Sequence, residues 1–189
     1  MKVLIVSDVH GNYLNMKKVL ENNPQFDIFL LLGDVLSGPD IEGYNPTKLA
    51  ELLNEYSNKI FYVRGNCDVY NMELLDFFMD KDKMILPIDN HLFFFTHGHL
   101  YRPYDIIDDE FDVFLSGHTH IPTMDKEKNK YYLNPGSITL PKANSVKSYL
   151  FYDNGEFQLI DLDNNKIIKK ISIWNLFYIC FAIINRLYL

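Results

Sequence analysis

The stretch KVLIVSDVHGN, residues 2–12, decides the reading of this chain. Lys2 to Val6 is a short, β-branched apolar run, which predicts a buried strand ending at a functional loop. The loop opens with a carboxylate, Asp8, and an imidazole, His10. Asn12 is then placed to cap a helix whose apolar pattern is Leu14, Val19 and Leu20. The order strand, polar loop, helix recurs further along. Phe26 to Leu32 predicts a second strand, followed by Gly33-Asp34. Pro46 opens a helix through Tyr56, with Leu49, Leu52 and Leu53 on one face. Lys59 to Val63 predicts a third strand, followed by Gly65-Asn66-Cys67-Asp68. In open α/β sheets, ligands bind outside the carboxyl ends of such strands.

The second half is rich in short strands, predicted at 83–86, 91–96, 113–116, 121–124, 131–133, 148–152, 157–161 and 166–173. Asp89-Asn90 and Asn154-Gly155 have the composition of hairpin turns. A helix-bearing first half and a strand-rich second half predict an α/β fold of two packed sheets flanked by helices. Neither a repeat nor a linker divides the chain. We therefore read 1–173 as a single domain and 174–189 as an apolar extension of unknown role. That extension, WNLFYICFAIINRLYL, is short for a membrane span and contains Asn175, Asn185 and Arg186. The first expectation for it is a segment packed on the domain or across an oligomer interface, the second a peripheral membrane contact.

The chain has 189 residues, a hydrophobic content of 48% and a formal net charge of −7, which fit a folded domain and argue against a basic nucleic-acid groove. Anionic substrates stay open, because bound divalent ions would make a pocket locally positive. Cys67 and Cys180 do not form a disulfide framework, and no signal-peptide pattern precedes Lys2, so a cytoplasmic protein is expected.

Five of the six histidines fall in three short motifs, Asp8-Val9-His10, His97-Gly98-His99 and Gly117-His118-Thr119-His120, and Gly33-Asp34 and Gly65-Asn66-Cys67-Asp68 add acids and an amide. Imidazole, carboxylate and carboxamide suit borderline divalent cations, whereas structural zinc favours paired thiolates. Asp34, alone at a strand end, is the best candidate for a carboxylate bridging two cations. Asp8 and His10 alternate along an expected extended stretch, and a bend at Gly11 would turn both toward one ion. His118 and His120 share that spacing, and in a strand they would lie on one face, with Gly117 permitting a close approach. Asn66 offers a neutral oxygen and His97 another imidazole. Single D-x-H or H-x-H patterns are common; the combination at successive strand ends carries the weight.

Taken together, SDVHGN (7–12), GDVLSGP (33–39), RGNCD (64–68), THGH (96–99), SGHTH (116–120) and NPGS (134–137) resemble the calcineurin-like metallophosphoesterase family. The segment EGYNPTKLAELLNE (42–55) is similar to its YfcE-type bacterial and archaeal branch. The resemblance runs over about residues 1–172. It implies a four-layer α-β-β-α sandwich of two mixed sheets. It also implies one metal held by Asp8, His10, Asp34 and His120, and a second held by Asp34, Asn66, His97 and His118. Manganese is the first expectation, with magnesium, iron, zinc and nickel as alternatives, and a metal-bridging water would be the nucleophile. Many relatives carry histidine where this chain has Cys67, so Asn66, Cys67 and His99 are the candidate catalytic residues and the proton donor is open between Cys67 and His99. The implied activity is hydrolysis of a small phosphate diester. A phosphomonoesterase or nucleotide hydrolase on the same centre is the alternative, and so is a non-catalytic scaffold like a retromer subunit. A homo-oligomer is expected.

Plainer readings stand beside these. His91, beside a turn, is read as structural; Asp68 as a loop cap; Cys67 as an inert small residue; and Asn134-Pro135-Gly136-Ser137 as a turn that could border the pocket.

Overall fold

A computed structural model describes residues 1–78, 80–103, 105 and 110–173, and the predicted extension 174–189 lies outside these residues. Strand β1 (Lys2–Val6) leads into α1 (Tyr13–Asn22), β2 (Ile28–Leu31), α2 (Pro46–Asn54) and β3 (Ile60–Tyr62). The later strands are β4 (Lys83–Ile88), β5 (His91–Thr96), β6 (Val113–Leu115), β7 (Thr123–Glu127), β8 (Lys130–Asn134), β9 (Ser148–Asp153), β10 (Glu156–Asp161) and β11 (Lys166–Ser172). One six-stranded sheet runs β11-β10-β9-β1-β2-β3, and a five-stranded sheet runs β4-β5-β6-β8-β7. Both are mixed, with β1, β2 and β3 parallel in the first and β5, β6 and β8 parallel in the second.

After Lys2, β1 and β2 are apolar because both of their faces are covered. Leu4, Val6, Phe29 and Leu31 point into a core shared with α1 and α2, while Val3, Ile5, Leu30 and Leu32 point into the core between the sheets. Each such fully buried aliphatic side chain stabilises the fold by roughly 1.5–3 kcal/mol. In the inter-sheet core, Phe93 of the second sheet packs against Tyr152 and Phe157 of the first, with ring centroids 4.8–5.6 Å apart. On the outer face of the second sheet, Phe94 and Phe114 are covered by Phe111 and Tyr101, with no helix there among the described residues.

Local chemistry sets the element ends. Asn12 caps α1, its Oδ1 accepting the Asn15 N–H at 2.9 Å, and Asn45 caps α2 in the same way from Lys48 at 3.0 Å. The buried stripe of α1 is Met16, Val19 and Leu20, and the expected Leu14 is exposed because it falls off that stripe. On α2, Leu49 and Leu53 are buried, the expected Leu52 packs partly buried against the same core, Ala50 joins them, and the helix ends at Asn54 rather than Tyr56. Strand β7 begins at Thr123, two residues later than expected, since Pro122 has no N–H to give to β8. Strand β4 extends through Pro87, which an edge strand tolerates.

Candidate metal centre

All six parallel strands end at one rim. Asp8 and His10 follow β1, Asp34 follows β2, Asn66 and Cys67 follow β3, His97 and His99 follow β5, and His118 and His120 follow β6; Asn134 closes β8. The expected extended stretches are not what orients them. Asp8, His10, Asp34, His118 and His120 all adopt left-handed backbone, with φ between +51° and +65°. Side chains with a Cβ disfavour that region, so five such residues at one rim mark stored strain. Left-handed residues turn the chain sharply, and this brings both members of each i, i+2 pair to the same cluster without a strand. Gly117 is required as predicted: a Cβ there would run into Ser7 Oγ and Asp8 Oδ2.

Three buried imidazoles are oriented alike. The Nδ1–H groups of His10, His97 and His120 donate to the carbonyls of Ser37, Leu32 and Leu140 at 2.9, 2.6 and 2.6 Å. A carbonyl only accepts, so the proton belongs on Nδ1 and each Nε2 is left to face the cluster. His10 Nε2 and His120 Nε2 are 3.2 Å apart. His120 Nε2 is 3.1 Å from Asp8 Oδ1, and His10 Nε2 is 3.9 Å from both Asp8 Oδ1 and Asp34 Oδ2. On the other flank, His97 Nε2 lies 3.4 Å from Asp34 Oδ2 and 3.1 Å from Asn66 Oδ1. Donor atoms of Asp8, His10 and His120, and those of Asp8, Asp34 and His97, each fall within 4.8 Å of one another. Asp34 therefore stands between two donor groups.

Asp8 Oδ1 is fully buried yet has no aligned hydrogen-bond partner among the described residues. An orphaned carboxylate oxygen ringed by imidazole lone pairs is a poor arrangement for an empty protein and a good one around a cation. The titration behaviour agrees. Burial opposes charge on His97 and His120, yet the neighbouring Asp34 and Asp8 raise both. Burial also opposes ionised Asp34, but His97 and the Cys67 N–H, donating at 2.8 Å, hold its carboxyl well below the usual range. The cluster draws positive charge.

The remaining predicted residues sit at the edge. His118 is exposed, its ring 5.2 Å from that of His97, while its N–H donates to Asp8 Oδ2 at 3.0 Å. His99 is half-buried, 5.3 Å from His97 and 6.2 Å from His118, and its Nδ1 is unpartnered. Burial and the charges of His97 and His118 lower its proton affinity. Burial, followed by the negative field of Asp34, pushes the Cys67 thiol up to about 12. His91 is away from the cluster, on β5 near Asp112.

Other residues hold the frame. Asp68 accepts from the N–H groups of Asp34, Val35 and Gly65 and from Tyr62 Oη, all at 2.8 Å, tying the β2 and β3 loops together. This extends the loop-cap reading. Ser137 Oγ donates to Asp8 O at 2.7 Å and Asn134 Nδ2 to Gly117 O at 2.8 Å, so the predicted turn at 134–137 clamps two site loops. Ser7 Oγ, donating to Leu32 O, had no signal in the sequence beyond its place before Asp8. An open pocket of about 510 Å³ lies over the cluster, lined by His10, Asp34, Asn66, Cys67, His118 and His120 on one side and residues 140–142 on the other.

The model of the calcineurin-like phosphoesterase superfamily domain matches residues 1–156. Phosphodiesterase YfcE of Escherichia coli K12 is 36% identical over 181 residues, which span 92% of this chain and 98% of that protein. The solved structure of the E. coli phosphoesterase Yfce aligns with a TM-score of 0.85, covering 92% of this chain and all of its own. Probable metallophosphoesterase YsnB of Bacillus subtilis is 28% identical, over 87% of this chain and 98% of that protein. Vps29 of Entamoeba histolytica, solved with zinc, aligns over 92% of this chain and 100% of its own with a TM-score of 0.60; at 20% identity it shows a shared fold alone.

Proposed function

The chain belongs to the calcineurin-like phosphoesterase superfamily, and from that membership we propose that it is a metal-dependent phosphodiesterase with a dinuclear centre. Asp8, His10, Asp34 and His120 would hold one cation, and Asp34, Asn66, His97 and His118 the other. The observation that carries this reading is the convergence of three Nδ1-anchored imidazoles and two buried carboxylates, with Asp8 Oδ1 left unpartnered. Divalent ions bound there would supply Lewis acidity toward the phosphate and a water-derived nucleophile at neutral pH.

The chain's own groups do the rest. Asp34, held ionised, keeps negative charge between the two donor sets. The backbone carbonyls of Ser37, Leu32 and Leu140 fix the imidazole tautomers. Asn66 presents its Oδ1 to the cluster and an N–H toward Cys67 Sγ at 3.2 Å. Cys67, which lines the pocket, holds its thiol proton tightly and is a weak acid at neutral pH, and His99 is the other candidate to exchange a proton with a leaving alkoxide. A substrate with a good leaving group needs neither. The scaffold reading is disfavoured because a scaffold has no use for a complete, strained donor set.

Metal-stripped protein assayed on bis-p-nitrophenyl phosphate and p-nitrophenyl phosphate, with and without manganese, tests this. The expected result is manganese-dependent turnover, faster on the diester. Preference for the monoester would move the reading to a phosphomonoesterase. Manganese binding without turnover of either ester would sink the proposal.

A further inference from the structure

One wall of the pocket enters the chemistry above only through a backbone carbonyl. It is built from Leu140, Pro141 and Lys142. Leu140 O accepts the His120 Nδ1–H at 2.6 Å, and the Lys142 N–H donates to His120 O at 3.2 Å. The wall is thus fastened at two points to a residue of the cluster. Beyond it the chain turns through Ala143 and Asn144, both left-handed with φ of +54° and +57°. Ser145 closes the turn by donating its N–H and Oγ to Lys142 O at 3.0 and 2.7 Å. Alanine gains nothing from a left-handed backbone, so the turn is held for what it positions.

It positions a lysine. Among the described residues Lys142 is the only lysine or arginine lining this pocket, and its side chain is exposed. No described carboxylate lies within ion-pair distance of it, whereas Lys147 faces Asp163 and Arg64 pairs with Asp80 and Asp82. In a chain of net charge −7, an unpaired lysine beside an acidic cluster is conspicuous.

We propose that Leu140, Pro141 and Lys142 form a subsite for the substrate beyond its scissile phosphate, one that receives a second anionic group. The inference rests on the phosphoesterase reading of the cluster and names its substrate class: phosphate esters, such as nucleotides, whose ester substituent carries another phosphate. A diester phosphate bears a single negative charge, which cations at the cluster already neutralise. A lysine on the pocket wall with no described carboxylate to pair with has a different anion to meet. Leu140 and Pro141 offer the intervening sugar or base a surface without hydrogen-bond demands. As a point charge on a flexible stem, Lys142 selects for charge and not for a fixed bidentate shape.

The experiment compares thymidine 5′-(p-nitrophenyl phosphate) with the same ester bearing a 3′-phosphate, using wild type, Lys142→Gln and Lys142→Arg loaded with manganese. The readout is the ratio of kcat/KM for the two esters. In the wild type the added phosphate should raise kcat/KM about tenfold at low salt, through KM, as befits one charge-assisted contact. The ratio should fall toward one in Lys142→Gln, recover in Lys142→Arg, and shrink as salt screens the pair. A wild-type ratio of one, or a ratio that Lys142→Gln leaves unchanged, overturns the subsite. If the wild type turns over neither ester, the phosphodiesterase reading fails and the subsite is judged by binding. Calorimetry of manganese-loaded protein should then show thymidine 3′,5′-bisphosphate binding tighter than thymidine 5′-phosphate, and Lys142→Gln should abolish the difference. Equal affinities in the wild type overturn it.

Discussion

The two ends of the parallel strands carry pockets of similar size, about 510 Å³ over the acidic cluster and about 470 Å³ at the opposite end around Met1, Lys2 and Asp27. They treat strain and polar atoms in opposite ways. At the far end Asp89, Asn90, Lys128, Asn154 and Gly155 are left-handed, all in two-residue hairpin turns where such backbone is expected. The polar groups of Asp89 and Asn154 are satisfied: the Met1 ammonium reaches Asp89 Oδ2 at 2.9 Å and Asn154 Oδ1 at 2.7 Å, and Tyr152 Oη donates to Asp89 at 3.0 Å. At the site end, three of the left-handed residues are histidines and no hairpin demands their conformation. Asp8 Oδ1 and His99 Nδ1 are left unpartnered there. Pocket size does not separate the two ends. Left-handed histidines and an unpartnered carboxylate oxygen do, and they point to a ligand at the site end.

Asp34→Asn is the sharpest way to break that contrast. The substitution keeps the shape and an oxygen for the Cys67 N–H, but removes the charge between the two donor groups. Turnover of bis-p-nitrophenyl phosphate should fall on the order of 10³-fold, since the cations supply several kcal/mol of transition-state stabilisation. Bound metal per chain should fall with it. Metal-free thermal stability should change by no more than about 1 kcal/mol, because the wild-type site is strained without its ligand. Undiminished turnover would remove Asp34 from the centre.

Asp68→Ala should mix the two kinds of effect. It leaves three backbone N–H groups and the Tyr62 hydroxyl without their acceptor in a buried place. Denaturant unfolding should show a loss of about 3 kcal/mol, and kcat/KM should drop roughly 10–100-fold as the Asp34 loop loses its brace. A stability loss with turnover intact would make Asp68 structural only.

Most of the site and the order of strands were legible in the sequence. The strand runs are apolar because both their faces are buried, and donor residues at successive strand ends show without coordinates. What holds the donors was less legible. The left-handed turns at His10, His118 and His120 follow from tertiary constraint, which no local propensity records, so the expected extended geometry was incorrect although these residues do gather at one rim. Lys142 gave no signal, since a lysine near Pro141 looks like any surface lysine until the loop is folded over His120. The braces from Ser137 and Asp68 span 129 and 33–34 residues to the loops they hold. Separations of that kind are invisible to pattern.

The far end supplies the mildest test. Asp89→Ala removes the acceptor of the Met1 ammonium and of Tyr152 Oη and places a Cβ-bearing residue without turn preference at φ +48°. Left-handed backbone costs such a residue roughly 1–2 kcal/mol, part of which Asp89 already bears, and an exposed ion pair adds little. The expected stability loss is therefore about 1 kcal/mol, with kcat/KM unchanged. Asp89→Gly should recover the conformational part and Asp89→Asn the turn preference without the charge, which separates strain from ion pairing. If Asp89→Ala lowered kcat/KM instead, strain at the hairpin end would be transmitted along the parallel strands to the acidic rim. The two ends would then be one mechanical unit, and the inference that only the rim stores strain for a ligand would fail.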